Sequence, residues 1–357
     1  MVKLAMVGTG GYAKVHLGAL LALQRAGKLE VVALADTHAD ALAEASRLYP
    51  QAAVYADYRV MFAQESIEAV IIATPIPCHE TMVLAALERG LRILLEKPPV
   101  PLFSQLQKLI DADPEQRVMV GFQHVYSGAV QAVRRSLCNS EFGPLRRITS
   151  TGLWPRPRSY YERAAWAGKI MHHGQPVLDG PLTNAFAHFV QNMLYLVCED
   201  QTRFSPGDDI KAELFRARPI ESYDTGCVCG ALGNGVEFWL AFTHASEEYV
   251  GVTTVVECEA GCFTICADGR ELFRPDGSTM VSDNGHAAML RAFLAFCAGD
   301  KQRNLTPLVA VQGFTSLTNS VFLSSQGIQT LPDSQFDILH ADTDQEQYAI
   351  RNIRSII

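Results

Sequence analysis

The chain has 357 residues, 48% of them hydrophobic and 19% charged. That length calls for two domains, and the composition excludes disorder over most of the chain. Its 30 basic against 38 acidic side chains give a net charge of −8. With no dense Lys/Arg block to offset that charge, no nucleic-acid partner is expected. No run approaches the ~18 apolar residues of a membrane span. The opening segment lacks the apolar length and cleavage site of a secretory signal, so a cytoplasmic location away from membranes is expected.

Residues 3–7 are a short apolar run that ends in Gly8-Thr9-Gly10-Gly11-Tyr12-Ala13. A helix follows, with Val15, Ala19, Leu20 and Leu23 expected on one face, and stops near Gly27. Residues 30–35 are a second strand closed by Asp36, and a helix is expected from Ala39 to Leu48. Residues 68–74 form another buried strand ending at Thr74, with a helix from Cys78 to Arg89 after it. Residues 92–96 and 117–121 repeat the strand pattern, ending at Glu96-Lys97-Pro98 and Gly121-Phe122-Gln123. Continuous apolar strands separated by amphipathic helices predict a doubly wound parallel sheet covered on both faces. In such a sheet ligands bind beyond the carboxyl ends of the strands, where these residues lie.

The glycine turn has a mechanical reading. Gly8 permits the tight turn out of the strand, Gly10 lets backbone approach a pyrophosphate, and Ala13 takes the position where helix and strand pack closely. Phosphates then sit at the helix N-terminus, held by its N–H groups and dipole. Alone the pattern is weak. Here it follows a strand, opens a helix and is answered by an acid at the end of strand two, which predicts dinucleotide binding. Asp36 accepts from ribose hydroxyls and repels a 2′-phosphate, and neither Thr37 nor His38 would welcome that phosphate. NAD is favoured over NADP.

The nine cysteines are scattered and odd in number, which fits reduced thiols better than a disulfide framework. Cys227 and Cys229 lie in a strand-like run, and Cys258, Cys262 and Cys266 flank a hairpin at Gly261. The C-x-x-C spacing of structural zinc is missing, so no metal is expected. His172 and His173 read as part of a loop rather than as a ligand pair, since adjacent side chains on an extended chain point to opposite faces and would not share a metal.

Gly8-Thr9-Gly10-Gly11-Tyr12-Ala13, Ala73-Thr74-Pro75 followed by His79, Glu96-Lys97-Pro98, and a later Asn184…His188 pair together resemble the Gfo/Idh/MocA oxidoreductases, relatives of glucose–fructose oxidoreductase and inositol dehydrogenase. The resemblance implies an α/β chain with an N-terminal Rossmann domain, residues 1–122. A substrate-binding and oligomerisation domain, residues 123–357, would be built on a large, mostly antiparallel open sheet. Strand-like runs at 145–153, 210–217, 225–232, 236–243, 252–258 and 262–267 fit that sheet, and helical stretches at 286–298 and 308–324 follow. Relatives use the sheet's open face for subunit packing, so a homodimer or homotetramer is expected.

The resemblance also implies roles. Gly8, Thr9, Gly10, Gly11, Tyr12, Ala13, Asp36, Thr74, Pro75, His79, Glu96, Lys97 and Gln123 would hold the cofactor. Lys97, aimed by Pro98 and Pro99, would hydrogen-bond the reacting oxygen and stabilise developing alkoxide. His188 would take the alcohol proton; read without the resemblance, it is first of all a core histidine bonded to backbone. Asn184, one turn earlier, is expected on the same helix face. Many relatives carry Asp there and another Asp where this chain has Gln191. An amide cannot accept a proton, so Asn184 reads as a positioning residue. His124 and the cluster Trp154, Arg156, Arg158, Tyr160 and Trp166 offer stacking faces and donors for a carbohydrate-like substrate, or form a packed loop. The expected activity is NAD-dependent oxidation of a secondary alcohol of a sugar, inositol or sugar derivative. The alternatives are a glycosidase that oxidises its substrate transiently with bound NAD, a non-catalytic NAD-binding regulator, and an oxidoreductase acting on a non-carbohydrate carbonyl.

Overall fold

The computed structural model describes residues 1–197 and 210–356. Cys198 therefore lies outside the described residues. The chain divides into two compact units. The first is Met1–Phe122 with Ala287–Val311, and the second is Gln123–His286 with Gln312–Ile357.

In the first unit six strands alternate with helices: β1 (Val2–Val7), α1 (Ala13–Arg25), β2 (Leu29–Ala35), α2 (Ala39–Leu48), β3 (Ala53–Tyr55), α3 (Tyr58–Gln64), β4 (Ala69–Ile72), α4 (His79–Glu88), β5 (Arg92–Leu95), α5 (Phe103–Ala112) and β6 (Val118–Val120). All pair in parallel, in the order β3-β2-β1-β4-β5-β6. Every residue of β4 is fully buried, which is why that strand reads as an unbroken apolar run rather than an alternating one. The order reverses between β1 and β4, and the crevice opens there.

The buried stripe of α1 differs from the expected one. Ala13, His16, Leu17 and Leu20 face the sheet while Val15 is exposed. The helix turns this way because His16, polar and so discounted as a core residue, finds a buried partner. The stretch from Ala287 to Val311 lies with the first unit, whereas the sequence placed it in the second domain. Asn304 Nδ2 donates to the Val118 carbonyl, Thr306 Oγ1 to that of Val120, and Val120 N to that of Thr306. Together they satisfy the open edge of β6.

The second unit holds α6 (Gly128–Cys138), β7 (Leu145–Leu153), α7 (Arg158–Glu162), a small hairpin of β8 (Met171–His172) and β9 (Gln175–Pro176), α8 (Ala187–Val197), β10 (Lys211–Arg216), β11 (Thr225–Ala231), β12 (Glu237–Thr243), β13 (Val250–Cys258), β14 (Gly261–Cys266), β15 (Glu271–Phe273) and β16 (Thr279–Val281). The chain crosses the first unit with α9 (His286–Cys297), then returns through α10 (Gln312–Ser324), β17 (Ile328–Thr330), the hairpin β18 (Phe336–Leu339) and β19 (Gln347–Ile350), and α11 (Ile353–Ile356). Nine strands form one sheet in the order β16-β15-β14-β13-β7-β12-β11-β10-β17. Only β7–β12 and β10–β17 pair in parallel. The expected large, mostly antiparallel sheet is present.

Along these strands burial alternates. In β13, Val252, Thr254, Val256 and Cys258 are enclosed, and the residues between them are not. The half-exposed face carries a register row in which Lys211, Cys229, Trp239, Thr149, Val255, Thr264 and Phe273 lie side by side. At the β8–β9 turn His173 adopts φ +48°, which swings its ring to 4.1 Å from that of His172. The pair lies at a turn, and its left-handed backbone brings together rings that an extended chain would point to opposite faces. Among the described residues no group of three His, Cys, Asp or Glu is arranged to hold a metal, and no helix is long and apolar enough to cross a membrane.

Candidate functional site

The turn after β1 is built around the strand-order reversal. Gly8 adopts φ +85°, and a Cβ there would lie 2.4 Å from the Ala73 carbonyl oxygen. Only glycine lets β1 and β4 approach so closely at their carboxyl ends. Beyond it the turn is open: a Cβ on Gly10 would meet only Ala41 at 3.7 Å, and one on Gly11 nothing within 4 Å. Ala13 is buried under the helix, whereas Tyr12 is exposed. Asp36 closes β2 and reaches back to this turn. Its Oδ2 accepts from Thr9 N at 2.7 Å and Thr9 Oγ1 at 2.9 Å, and its Oδ1 accepts from His38 N at 2.8 Å. Thr9 is thus a positioning residue for Asp36. A carboxylate offers about four lone-pair directions, so three accepted bonds leave capacity for a ribose hydroxyl. The open glycine turn and the anchored carboxylate fit a dinucleotide.

At the ends of β4 and β5 a second group forms. Glu96 Oε1 meets His16 Nε2 at 2.7 Å, both side chains being enclosed. Lys97 N donates to Glu96 Oε2 at 3.2 Å. Burial pushes the Glu96 carboxyl up, but the hydrogen bond and charge of His16, with the charge of Lys97, more than offset this and hold it below its ordinary range. The peptide after Lys97 is cis. His79 is fully buried, with Nδ1 facing the carbonyls of Pro98 at 3.0 Å and Pro99 at 3.1 Å, and Nε2 facing that of Thr74 at 2.9 Å. Burial lowers its pKa, against the opposing pull of those carbonyls. Backbone carbonyls flank both ring nitrogens, and a neutral ring donates to them from one nitrogen only, so His79 packs between the Thr74 turn and the Lys97 turn. Thr74 is half-buried and Pro75 exposed.

In the second unit Gln123 and His124 are buried in a short turn of helix, Gln123–Tyr126. The His124 ring stacks on His188, centroids 4.4 Å apart and planes 20° off parallel. Asn184 and His188 do not share one α-helix. Pro181–Ala185 forms a π-turn in which Phe186 N donates to the Pro181 carbonyl, and α8 begins only at Ala187. Proline cannot continue a helix backwards, and the wider turn re-aims Asn184. Its Nδ2 donates to Asp179 Oδ1 at 2.8 Å. Gln191 is buried on α8.

Trp154, Arg156 and Tyr160 come together. Trp154 stacks on Phe186 at 4.4 Å, and the Arg156 guanidinium lies 5.4 Å from the Trp154 ring and 4.7 Å from that of Tyr160. Arg163 bridges Tyr160 and Trp166 at 3.7 and 5.1 Å. Arg158 is held apart in an ion pair with Glu162 on α7, and with Tyr161, Lys169 and Arg218 it lines a cleft of about 510 Å³. The sequence reading missed His244, which follows β12 directly and lies inside this aromatic group. Its Nδ1 meets Tyr161 Oη at 3.1 Å, its ring faces Phe186 at 5.6 Å, and its buried Nε2 has no hydrogen-bond partner among the described residues. Burial, then the charges of Arg156 and Arg163, hold its pKa well below the ordinary histidine value.

Strand order and glycine turn define the first unit as a Rossmann nucleotide-binding domain. Residues 2–124 match the Gfo/Idh/MocA family, described as an oxidoreductase family with an NAD-binding Rossmann fold. The match does not extend beyond residue 124. The chain is 30% identical over 140 residues to an inositol 2-dehydrogenase/D-chiro-inositol 3-dehydrogenase of Shouchella clausii, a match spanning 38% of this chain but only 40% of that enzyme. It is 27% identical over 293 residues to a D-apiose dehydrogenase of Paraburkholderia graminis, covering 81% of this chain and 67% of the relative. Among solved structures, the WlbA dehydrogenase of Bordetella pertussis with NADH and UDP-GlcNAcA superposes with a TM-score of 0.77 at 22% identity, over 91% of this chain and 96% of that one. A levoglucosan dehydrogenase with NADH gives 0.75 at 17% identity, over 91% and 96%. At these identities the likeness is one of fold.

Proposed function

We propose that this protein is an NAD-dependent oxidoreductase that moves a hydride between the nicotinamide and a secondary alcohol of a sugar, inositol or sugar derivative. The observation that carries the reading is the pair of built groups at the strand ends of the first unit: the open turn with Asp36 anchored behind it, and Lys97 fixed between buried Glu96 and the prolines. The family match and the named dehydrogenase relatives support it. Bound NAD supplies the hydride acceptor. Gly10 and Gly11 admit the pyrophosphate, and Asp36 takes the ribose hydroxyls and disfavours a 2′-phosphate. Lys97 donates to the reacting oxygen and stabilises charge that develops on it. His188 removes the hydroxyl proton, and Asn184 orients that hydroxyl. His124, Trp154, Arg156, Tyr160 and Trp166 supply flat faces and donors suited to a polyol. The half-exposed face of the nine-stranded sheet packs against a second copy.

The test is a panel of sugars, inositols and sugar acids assayed for NADH absorbance. Turnover on some polyol is expected, with Lys97→Ala lowering kcat by about 100-fold or more. Release of sugar from an aryl glycoside with no net NADH would replace this reading with transient oxidation. Tight NAD binding with no turnover on any substrate would replace it with a regulator.

A further inference from the structure

Resting on the oxidoreductase reading, we infer that the substrate is a sugar acid whose carboxylate is held by the Arg156 guanidinium. Arg156 is half-buried, and its side chain makes no hydrogen bond or ion pair with any described residue. A cation taken partly out of water is ordinarily matched by a carboxylate, because neutral contacts do not replace its lost hydration. The chain follows that rule elsewhere: Arg218, 6% exposed, faces Glu346 at 3.4 Å. Arg163, on the other side of the Tyr160 group, donates to the Tyr160 carbonyl and pairs with no carboxylate among the described residues. Asp268 is engaged by Val252 N at 2.7 Å and by the hydroxyl of Tyr249, whose ring lies parallel to that of Trp154. The pKa of His244 registers the same imbalance: burial lowers it, the charges of Arg156 and Arg163 lower it further, and no acid among the described residues pulls it back. In a chain of net charge −8, a positive pocket is not a by-product of composition.

The guanidinium is fixed before any ligand arrives. β7 and β12 pair as far as Leu153 and Thr243, and beyond them Trp154 N donates to the Thr243 carbonyl at 2.9 Å and Arg156 N to that of His244 at 3.1 Å. Stacked against Trp154 and Tyr160, the side chain loses its rotamer freedom on folding rather than on binding. Arg156 Nε and Trp154 Nε1 are both shielded, so the two terminal nitrogens of Arg156 are the ones that meet a ligand. Their fork matches the two oxygens of a planar carboxylate, one charge against one. A phosphate dianion would call for a second cation, and Arg163 is committed to Tyr160. Trp154 also joins Arg156 to the proposed base: it meets Phe189 at 5.8 Å, Phe189 meets His124 at 5.1 Å, and His124 stacks on His188. The acid group and the reacting hydroxyl thus belong to two ends of one ligand laid along a single aromatic run.

The test compares matched substrates on the protein with NAD: D-glucuronate with D-glucose, D-galacturonate with D-galactose and D-gluconate with D-glucitol, with D-glucose 6-phosphate as the phosphate arm. The parent is expected to favour the acid of at least one pair by about tenfold or more in kcat/KM. In Arg156→Gln that ratio should fall by about tenfold or more, without a lower melting temperature or weaker NAD binding. Where Arg156→Gln fails to fold, Arg156→Lys keeps the charge and loses the fork, and a smaller fall in the same ratio is expected. A parent that favours no acid over its neutral partner, or a folded variant with the parental ratio, would overturn the inference. A preference for the 6-phosphate over every acid would overturn it in favour of a phosphate. A parent with no turnover on any polyol would instead overturn the oxidoreductase reading. Calorimetry then judges Arg156: heat with an acid that is missing both for its neutral partner and for Arg156→Gln counts for the carboxylate, and no heat with any of the acids counts against it.

Discussion

His16 Nε2 lies 2.7 Å from Glu96 Oε1, one residue from α1 and the other from the end of β5, both side chains enclosed. The helix whose N-terminus faces the cofactor turn is thereby tied to the backbone that carries Lys97. Removing one member of a buried pair strands the other, at a cost of about 3–5 kcal/mol. His16→Leu should therefore lower stability by that order in urea unfolding. His16→Leu with Glu96→Leu should recover part of it, because the stranded carboxylate is gone. Equal loss in the single and double variants would show that the two residues are not coupled.

Gly8 and Gly11 both take left-handed backbone, yet their surroundings differ. Gly8→Ala meets the Ala73 carbonyl at 2.4 Å, whereas Gly11→Ala meets nothing within 4 Å. Strain alone costs about 1–2 kcal/mol, and the clash adds about 1–3 kcal/mol at Gly8. Gly8→Ala should melt well below Gly11→Ala, and calorimetry with NAD should register binding only weakly or not at all for it. Equal melting temperatures would contradict the close approach of β1 and β4.

Asp36 accepts three hydrogen bonds, two of them from Thr9. Asp36→Ala frees Thr9 and removes the charge that would repel a 2′-phosphate. NAD should bind about tenfold or more weaker, as expected for the loss of charged hydrogen bonds. The gap between NAD and NADP should narrow. A parent protein that binds NADP as tightly as NAD would reject the role given to Asp36.

How far the sequence carries depends on the range over which each feature is set. The strands of the first unit were legible because burial on both faces leaves continuous apolar runs such as Ala69–Ile72. The stripe of α1 was misplaced because His16 is a polar core residue whose reason for burial, Glu96, stands eighty positions away. Asn184 was expected on one helix with His188, but a π-turn leaves no signature in side-chain spacing. Asp179 could be noted but not placed, since its second partner, Gly168, is reached only through the β8–β9 hairpin. β15, β16 and β17 have three residues each, too few for periodicity to show. His244 was overlooked because its meaning comes from Tyr161, Phe186 and Arg156, distant in sequence.

The row Cys229, Trp239, Thr149, Val255 and Thr264 on the sheet's half-exposed face underlies the proposed subunit contact. An arginine introduced at its centre, Thr149→Arg, would have to be desolvated on association. Sedimentation should show a dimer or tetramer in the parent and dissociation in this variant. A monomeric parent at micromolar concentration would remove the proposal.

His244 gives the protein an acid sensitivity that can be isolated. Its ring is enclosed, and burial with the charges of Arg156 and Arg163 depresses its pKa well below 6.5. A depressed histidine contributes stability that is complete above its unfolded value of about 6.5 and is lost as the pH falls below that value. Asp224 works in the opposite sense: burial raises its pKa to about 6, so protonating it below that pH favours the folded state. The parent's own pH profile mixes the two. The difference between parent and His244→Phe does not, because the variant keeps the aromatic contacts with Phe186 and Tyr160 and leaves Asp224 in place. Urea unfolding from pH 7.5 to 5 should show the parent losing stability relative to His244→Phe as the pH drops through 6.5. A constant difference across that range would mean that His244 protonates as readily folded as unfolded, and that the enclosed imidazole is not held neutral.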